Sequence, residues 1–148
     1  MKSPSLEHWF SDKQSKLAAW REWRTHLVNL DVQAAYQETA IWWKFVPIVN
    51  KTFDPWHIES WPNPWKLIGN GSFCPNAQGL GMFYSLVLCS IDCELILAMV
   101  EGVPRLMVNL PGSKLLNYYD GEVIDINTVD AQILQLWTAS DLARLVKV

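Results

Sequence analysis

The chain has 148 residues, half of them hydrophobic and 18% charged, which fits one domain of ordinary size and excludes a disordered chain. Its formal charge of −3 and a pI of about 5.5 lack the cationic footprint of a nucleic-acid binder. Nine tryptophans stand beside four tyrosines and five phenylalanines, an unusual aromatic balance.

Residues 1–11 contain no long apolar core of a leader peptide and read as a flexible arm. Ser11-Asp12 can cap a helix from Lys13 to about Asn29, with Leu17, Trp20, Trp23 or Arg24, Leu27 and Val28 at helical spacing. Asp31 can cap a second helix from Val32 to about Phe45, and Pro47 ends it. Residues 12–49 are therefore helical. Residues 50–73 are dense in breakers and aromatics: Asp54-Pro55-Trp56, Trp61-Pro62-Asn63-Pro64-Trp65, then Gly69-Asn70-Gly71. This is an ordered loop with room for one helical turn at Pro64–Ile68.

Pro75 suits a first helical position, which places Cys74 at or beside the N-cap of a helix running to about Cys89. That helix is apolar on nearly every side and so central and buried. Its Gly79 and Gly81 allow another backbone to approach closely. Four short strands follow as an antiparallel meander: Glu94–Glu101, Arg105–Leu110, Lys114–Tyr119 and Glu122–Ile126. Turns at Leu110-Pro111-Gly112-Ser113 and Asp120-Gly121 separate the later ones. Residues 127–148 read as a C-terminal helical end beginning at Thr128 or Asp130. The fold class is α+β, in a single domain.

The apolar runs Ile41–Val49, Leu80–Leu88 and Leu95–Val100 are too short or too interrupted to span a bilayer, so no membrane association is expected. The cysteines Cys74, Cys89 and Cys93 are odd in number and carry no second paired spacing. They form neither a disulfide framework nor a zinc site and fit reduced thiols in a cytoplasm. His8, His26 and His57 share no ligand spacing, so neither a metal nor a cofactor is expected. Asp54 and Glu59 offer a carboxylate pair in the loop, with solvated charges as the simpler account.

A thiol at a helix N-terminus is placed for a lowered pKa. The order Trp61-Pro62-Asn63-Pro64-Trp65-Lys66-Leu67-Ile68-Gly69-Asn70-Gly71-Ser72-Phe73-Cys74, then a buried helix and antiparallel strands, resembles the bacterial transglutaminase-like cysteine peptidases of the papain-like group. The resemblance covers about residues 41–126. It implies Cys74 as the nucleophile, with a His and then an Asp on the following strands. Those places fall near Arg105-Leu106 and near Asn117, and no His follows His57. Arg cannot serve as a base near neutral pH. The resemblance is thus to a degenerate member, in which Cys74 lacks an activating base and alkylates slowly.

Residues 61–74 with Gln78-Gly79-Leu80-Gly81-Met82-Phe83-Tyr84 also resemble small proteins of tailed bacteriophages. Two readings follow. One is a non-catalytic interaction or assembly protein, a phage virion or accessory component. In it Trp56, Trp61 and Trp65 contact other protein subunits or a second copy of the chain, with at least one of these rings exposed. The other is a cysteine-dependent hydrolase or acyltransferase using Cys74 with His57 as an irregular base.

Overall fold

A computed structural model describes residues 9–146. In chain order it contains α1 (Lys13–Leu27), α2 (Val32–Lys44), α3 (Pro64–Asn70), α4 (Pro75–Leu88), β1 (Glu94–Val100), β2 (Val103–Leu110), β3 (Lys114–Leu116), β4 (Val123–Asp125), β5 (Gln132–Trp137) and α5 (Ala143–Val146). The expected α+β class and antiparallel order are both present.

The helix starts follow local chemistry. The Asp12 carboxylate accepts from the Ser15 amide and that of Asp31 from the Ala34 amide, satisfying donors that a helix start leaves unpaired. Asn63 does the same for α3 through the Lys66 amide. Proline opens both α3 and α4, where its missing N–H costs nothing.

The sheet order is β4-β3-β2-β1-β5. The first four strands are the expected meander. The fifth corrects the expectation of a helical end from Thr128 or Asp130. Its sequence, Gln132-Ile133-Leu134-Gln135-Leu136-Trp137, suits either period. The decision is tertiary: β1 is buried on both faces, and its second edge needs hydrogen-bonding partners. β5 supplies them in antiparallel register, with an irregularity between Leu97 and Ala98. Only the short α5 follows as helix.

Leu95, Leu97, Leu106, Val108, Leu110 and Leu116 join the main core on one face of the sheet. Ile96, Ala98, Met107 and Leu115 form a smaller cluster on the other, covered by Tyr118, Ile124, Ile126, Val129 and Ala131. Helix α4 lies between β2 and α2, buried through most of its length. A Cβ added at Gly79 would strike the Leu106 carbonyl, and one at Gly81 would strike the Trp43 ring. The expected close approach of a backbone is found at Gly79, whereas Gly81 corrects it: the neighbour there is an indole side chain. Ser85 is the polar knot of this core. Its hydroxyl accepts from the indole N–H groups of Trp20 at 3.0 Å and Trp43 at 3.1 Å, and donates to the Gly81 carbonyl.

Trp9 corrects part of the expected arm. It is buried, edge-on to Trp42 at 5.0 Å and to Phe73 at 5.1 Å. The rest of that arm up to residue 8 lies outside the described residues.

Candidate functional site

Phe73 sets the position of Cys74. Its ring is fully buried against Trp9 and Trp43. Its amide donates to the Pro47 carbonyl, and its own carbonyl accepts from the Val49 amide at 2.7 Å. The next residue, Cys74, is the N-cap of α4. The site therefore hangs between a rigid aromatic core and the end of a buried helix.

The Cys74 side chain is 1% exposed. Its Sγ lies 3.2 Å from the Thr52 hydroxyl, and Thr52 is itself exposed. Burial pushes the thiol pKa up. The Thr52 hydroxyl, helped by the nearby amides of Thr52, Ala77 and Asn76, outweighs it and leaves the thiol below its ordinary value, although the sulfur makes no capping hydrogen bond to the helix. The amides bring the expected influence of a helix N-terminus on sulfur, and the hydroxyl is one that the sequence does not single out.

Where the resemblance would put an imidazole stands Arg105, and where it would put a carboxylate stands the amide of Asn117, which meets the first turn of α4 together with Asn76. The Asn76 side-chain oxygen accepts from the Leu106 amide at 2.9 Å. The Asn117 Nδ2 donates to the carbonyls of Pro75 and Leu106, each at 2.8 Å. Asn117 is in the left-handed region, with φ of 74°, a conformation Asn tolerates better than most residues. This network fastens β2 to the helix and contains no group that can take a proton from the thiol. Asn76 and Asn117 hold the site's shape.

His57 lies on the 50–63 segment. It is largely exposed, with Nδ1 at 2.9 Å from the Asp54 carboxylate. Asp54 also accepts from the Trp56 amide, and that bond is the chief cause of its lowered pKa, with His57 adding to it. The structure thus pairs His57 with Asp54 and Cys74 with Thr52. Glu59 points to solvent, apart from the Asp54–His57 pair.

The three loop tryptophans part company. Trp56 is 50% exposed, whereas Trp61 is 4% exposed. Trp61 packs edge-on against Trp137 at 5.1 Å and donates to the Asp54 carbonyl. Trp65 is half-buried in the first turn of α3, because Asn63 and Pro64 start a helix there rather than continue an extended segment. Trp61 and Trp65 therefore do not form a side-by-side exposed pair. The Tyr84 hydroxyl ties the loop to α4 by donating to the Pro62 carbonyl at 2.6 Å.

Cys93 is buried and its pKa is pushed up to about 12 by burial. Cys89 is half-buried, its Sγ 3.6 Å from the Arg24 carbonyl. His26 is half-buried on α1, and His8 lies outside the described residues. Among the described residues no group of three His, Cys, Asp or Glu side chains is placed to hold a metal. No helix among them is long and apolar enough to cross a membrane.

A second feature flanks Cys74. A cleft of about 260 Å³ is lined by Pro75 and Gln78 of α4, Ile48, Arg105 of β2, and Asn117 to Asp120. It opens where β3 stops at Leu116 and leaves the first half of β2 without that neighbour.

No protein-family model matches the chain, and no curated protein matches it by sequence. Solved structures do. Legionella pneumophila LapG is similar with a TM-score of 0.72 at 14% identity, covering 95% of this chain and 87% of that one. LapG treated with EGTA is similar with a TM-score of 0.69 at 14% identity, covering 96% and 85%. At this identity the likeness shows the fold alone, one shared with LapG and in keeping with the transglutaminase-like resemblance. It corrects the expectation of a non-catalytic bacteriophage assembly or structural protein. The structural neighbours are a cysteine protease, and nothing in them supports a phage or virion role. That expectation leaned on the missing histidine and on the tryptophan excess. The first bears on the base rather than on the thiol, and most of the second is core packing.

Proposed function

We propose that the protein is a cysteine-dependent acyl hydrolase or acyltransferase with Cys74 as its nucleophile. The observation that carries this reading is the setting of one sulfur. The thiol sits at the N-cap of a buried helix in a transglutaminase-like fold, and its pKa is held down against burial by surrounding hydrogen bonds.

The chemistry runs through a thioester. The thiolate attacks an acyl carbon, the bond to the leaving group breaks, and that group departs with the electron pair. Water or an amine then attacks the thioester carbon and gives up a proton to solvent, and the carbon–sulfur bond breaks with its electron pair returning to sulfur. The lowered pKa of Cys74 makes its thiolate accessible at a lower pH than that of an ordinary thiol, and the thiolate needs no base for its own attack. An amine leaving group needs a proton, and the first turn of α4 supplies none. Thioesters and activated esters, whose leaving groups depart as anions, are therefore the preferred donors. His57, oriented by Asp54, is the one imidazole on the segment that carries Thr52. Because Cys74 is buried under Thr52, catalysis requires that segment to move so as to uncover the sulfur and bring the imidazole toward it.

The test is to trap the intermediate with a simple acyl thioester or a p-nitrophenyl ester. A single acyl group on the Cys74 peptide, absent from Cys74→Ser, is expected by mass spectrometry. His57→Ala is expected to retain acylation and slow turnover. Acylation only at Cys89 or at lysines, or none at all, would overturn the reading.

A further inference from the structure

We propose that Arg105 selects a carboxylate-bearing residue of the acyl donor in the cleft beside Cys74; the inference rests on the catalytic reading above and names its substrate class. The cleft adjoins the first turn of α4 through Pro75 and Gln78. A residue seated there would lie against Pro75, the residue after Cys74, so that the neighbouring carbonyl of the same chain can reach the sulfur once the Thr52 segment uncovers it. At about 260 Å³ it is below the usual range for a whole small ligand, and it suits one side chain of a longer chain.

Arg105 is a half-buried cation in this wall. Its Nη1 donates to the Tyr118 carbonyl at 3.0 Å, which fixes the plane of the guanidinium and leaves most of its donors unengaged. Among the described residues no carboxylate lies within ion-pair distance of it. Asp120 lines the same cleft but is exposed, so its charge is screened by water while that of Arg105 is partly withdrawn. A planar, pre-oriented fork of donors matches the two oxygens of a carboxylate. The exposed Ile48 and Tyr119 complete apolar walls for the stem of an Asp or Glu side chain.

The test separates binding from chemistry by using Cys74→Ala protein. Four peptides are titrated by NMR: acetyl-Ala-Asp-Ala-amide, its Asn and Lys counterparts, and acetyl-Ala-Ala-Ala with a free carboxyl end. At least a tenfold preference for a carboxylate over the Asn peptide is expected. The Asp peptide and the free end distinguish a side-chain from a terminal source, and either one supports the assignment. Arg105→Gln should reduce the preference below twofold with the peptide still bound weakly, and Arg105→Lys should keep part of it. Equal binding of the Asp and Asn peptides, or a preference that survives Arg105→Gln, would overturn the inference. Acylation of Cys74 without acid preference fails this inference alone. Acid preference in a protein whose Cys74 never acylates fails the catalytic reading alone.

Discussion

The two ends of helix α4 hold cysteines in opposite states. Cys74 caps the start, where amide N–H groups converge and a hydroxyl touches the sulfur, and its pKa is lowered. Cys93 follows the far end, where chiefly burial and also the carboxylates of Asp92 and Glu94 push its pKa up to about 12. Both are buried, so burial alone does not decide thiol character. The groups around the sulfur do: the Thr52 hydroxyl and nearby amides at Cys74, the Asp92 and Glu94 carboxylates at Cys93. The same division runs through the helix: its body is dry, glycine-tight and indole-packed, and its first turn is polar and bounded by a cleft.

The largest effects should come from the body. Gly79→Ala and Gly81→Ala should each cost about 4 kcal/mol or more, or prevent folding, since the neighbours are the Leu106 backbone and the Trp43 ring. Urea unfolding would measure this. Trp61→Ala should cost about 3–5 kcal/mol by loss of a buried indole, while Trp56→Ala should stay within about 0.5 kcal/mol. Equal losses would mean that the exposed and buried loop rings are not distinct. Ser85→Ala should cost about 2–4 kcal/mol, since the Trp20 and Trp43 N–H groups lose their shared acceptor. A cost under about 1 kcal/mol would show that those groups find other partners.

The cysteines sharpen the contrast through pH. For Cys93 the folded pKa is raised, so the unfolded chain releases its proton first. Its contribution is complete below the ordinary thiol pKa and is lost as pH rises toward 12, by at most about 1.4 kcal/mol per pH unit. Cys93→Ala should flatten that alkaline slope. Cys74 has the opposite sign: its contribution is present above the unfolded thiol pKa and is lost as pH falls through the lower folded value. The smallest effect is that of Thr52→Val. It should leave stability nearly unchanged and raise the pH midpoint of Cys74 alkylation, with Thr52→Ser restoring it.

Much of the frame is legible in the residues. Asp12, Asp31 and Pro75 mark helix starts because capping and proline geometry are local. The meander from Glu94 onward follows its turn residues. β5 is not legible in this way, because Ile133, Leu134, Leu136 and Trp137 satisfy two periods and only the open edge of β1 chooses between them. Cys74 is visible because its role depends on the proline beside it. Thr52 carries no signal, since its hydroxyl reaches sulfur only through the path of an irregular segment. Arg105 marks a missing base in the sequence, and its cleft exists only because β3 ends early.

The measurement that tests the central claim most directly is the pH dependence of iodoacetamide alkylation in the native protein, resolved cysteine by cysteine by mass spectrometry. The account predicts a Cys74 midpoint clearly below that of a model thiol, with Cys93 unreactive until strongly alkaline pH. Burial sets the absolute rate, so the midpoint is the deciding quantity. A Cys74 midpoint at or above the model thiol's would contradict an activated sulfur, and with it the catalytic reading.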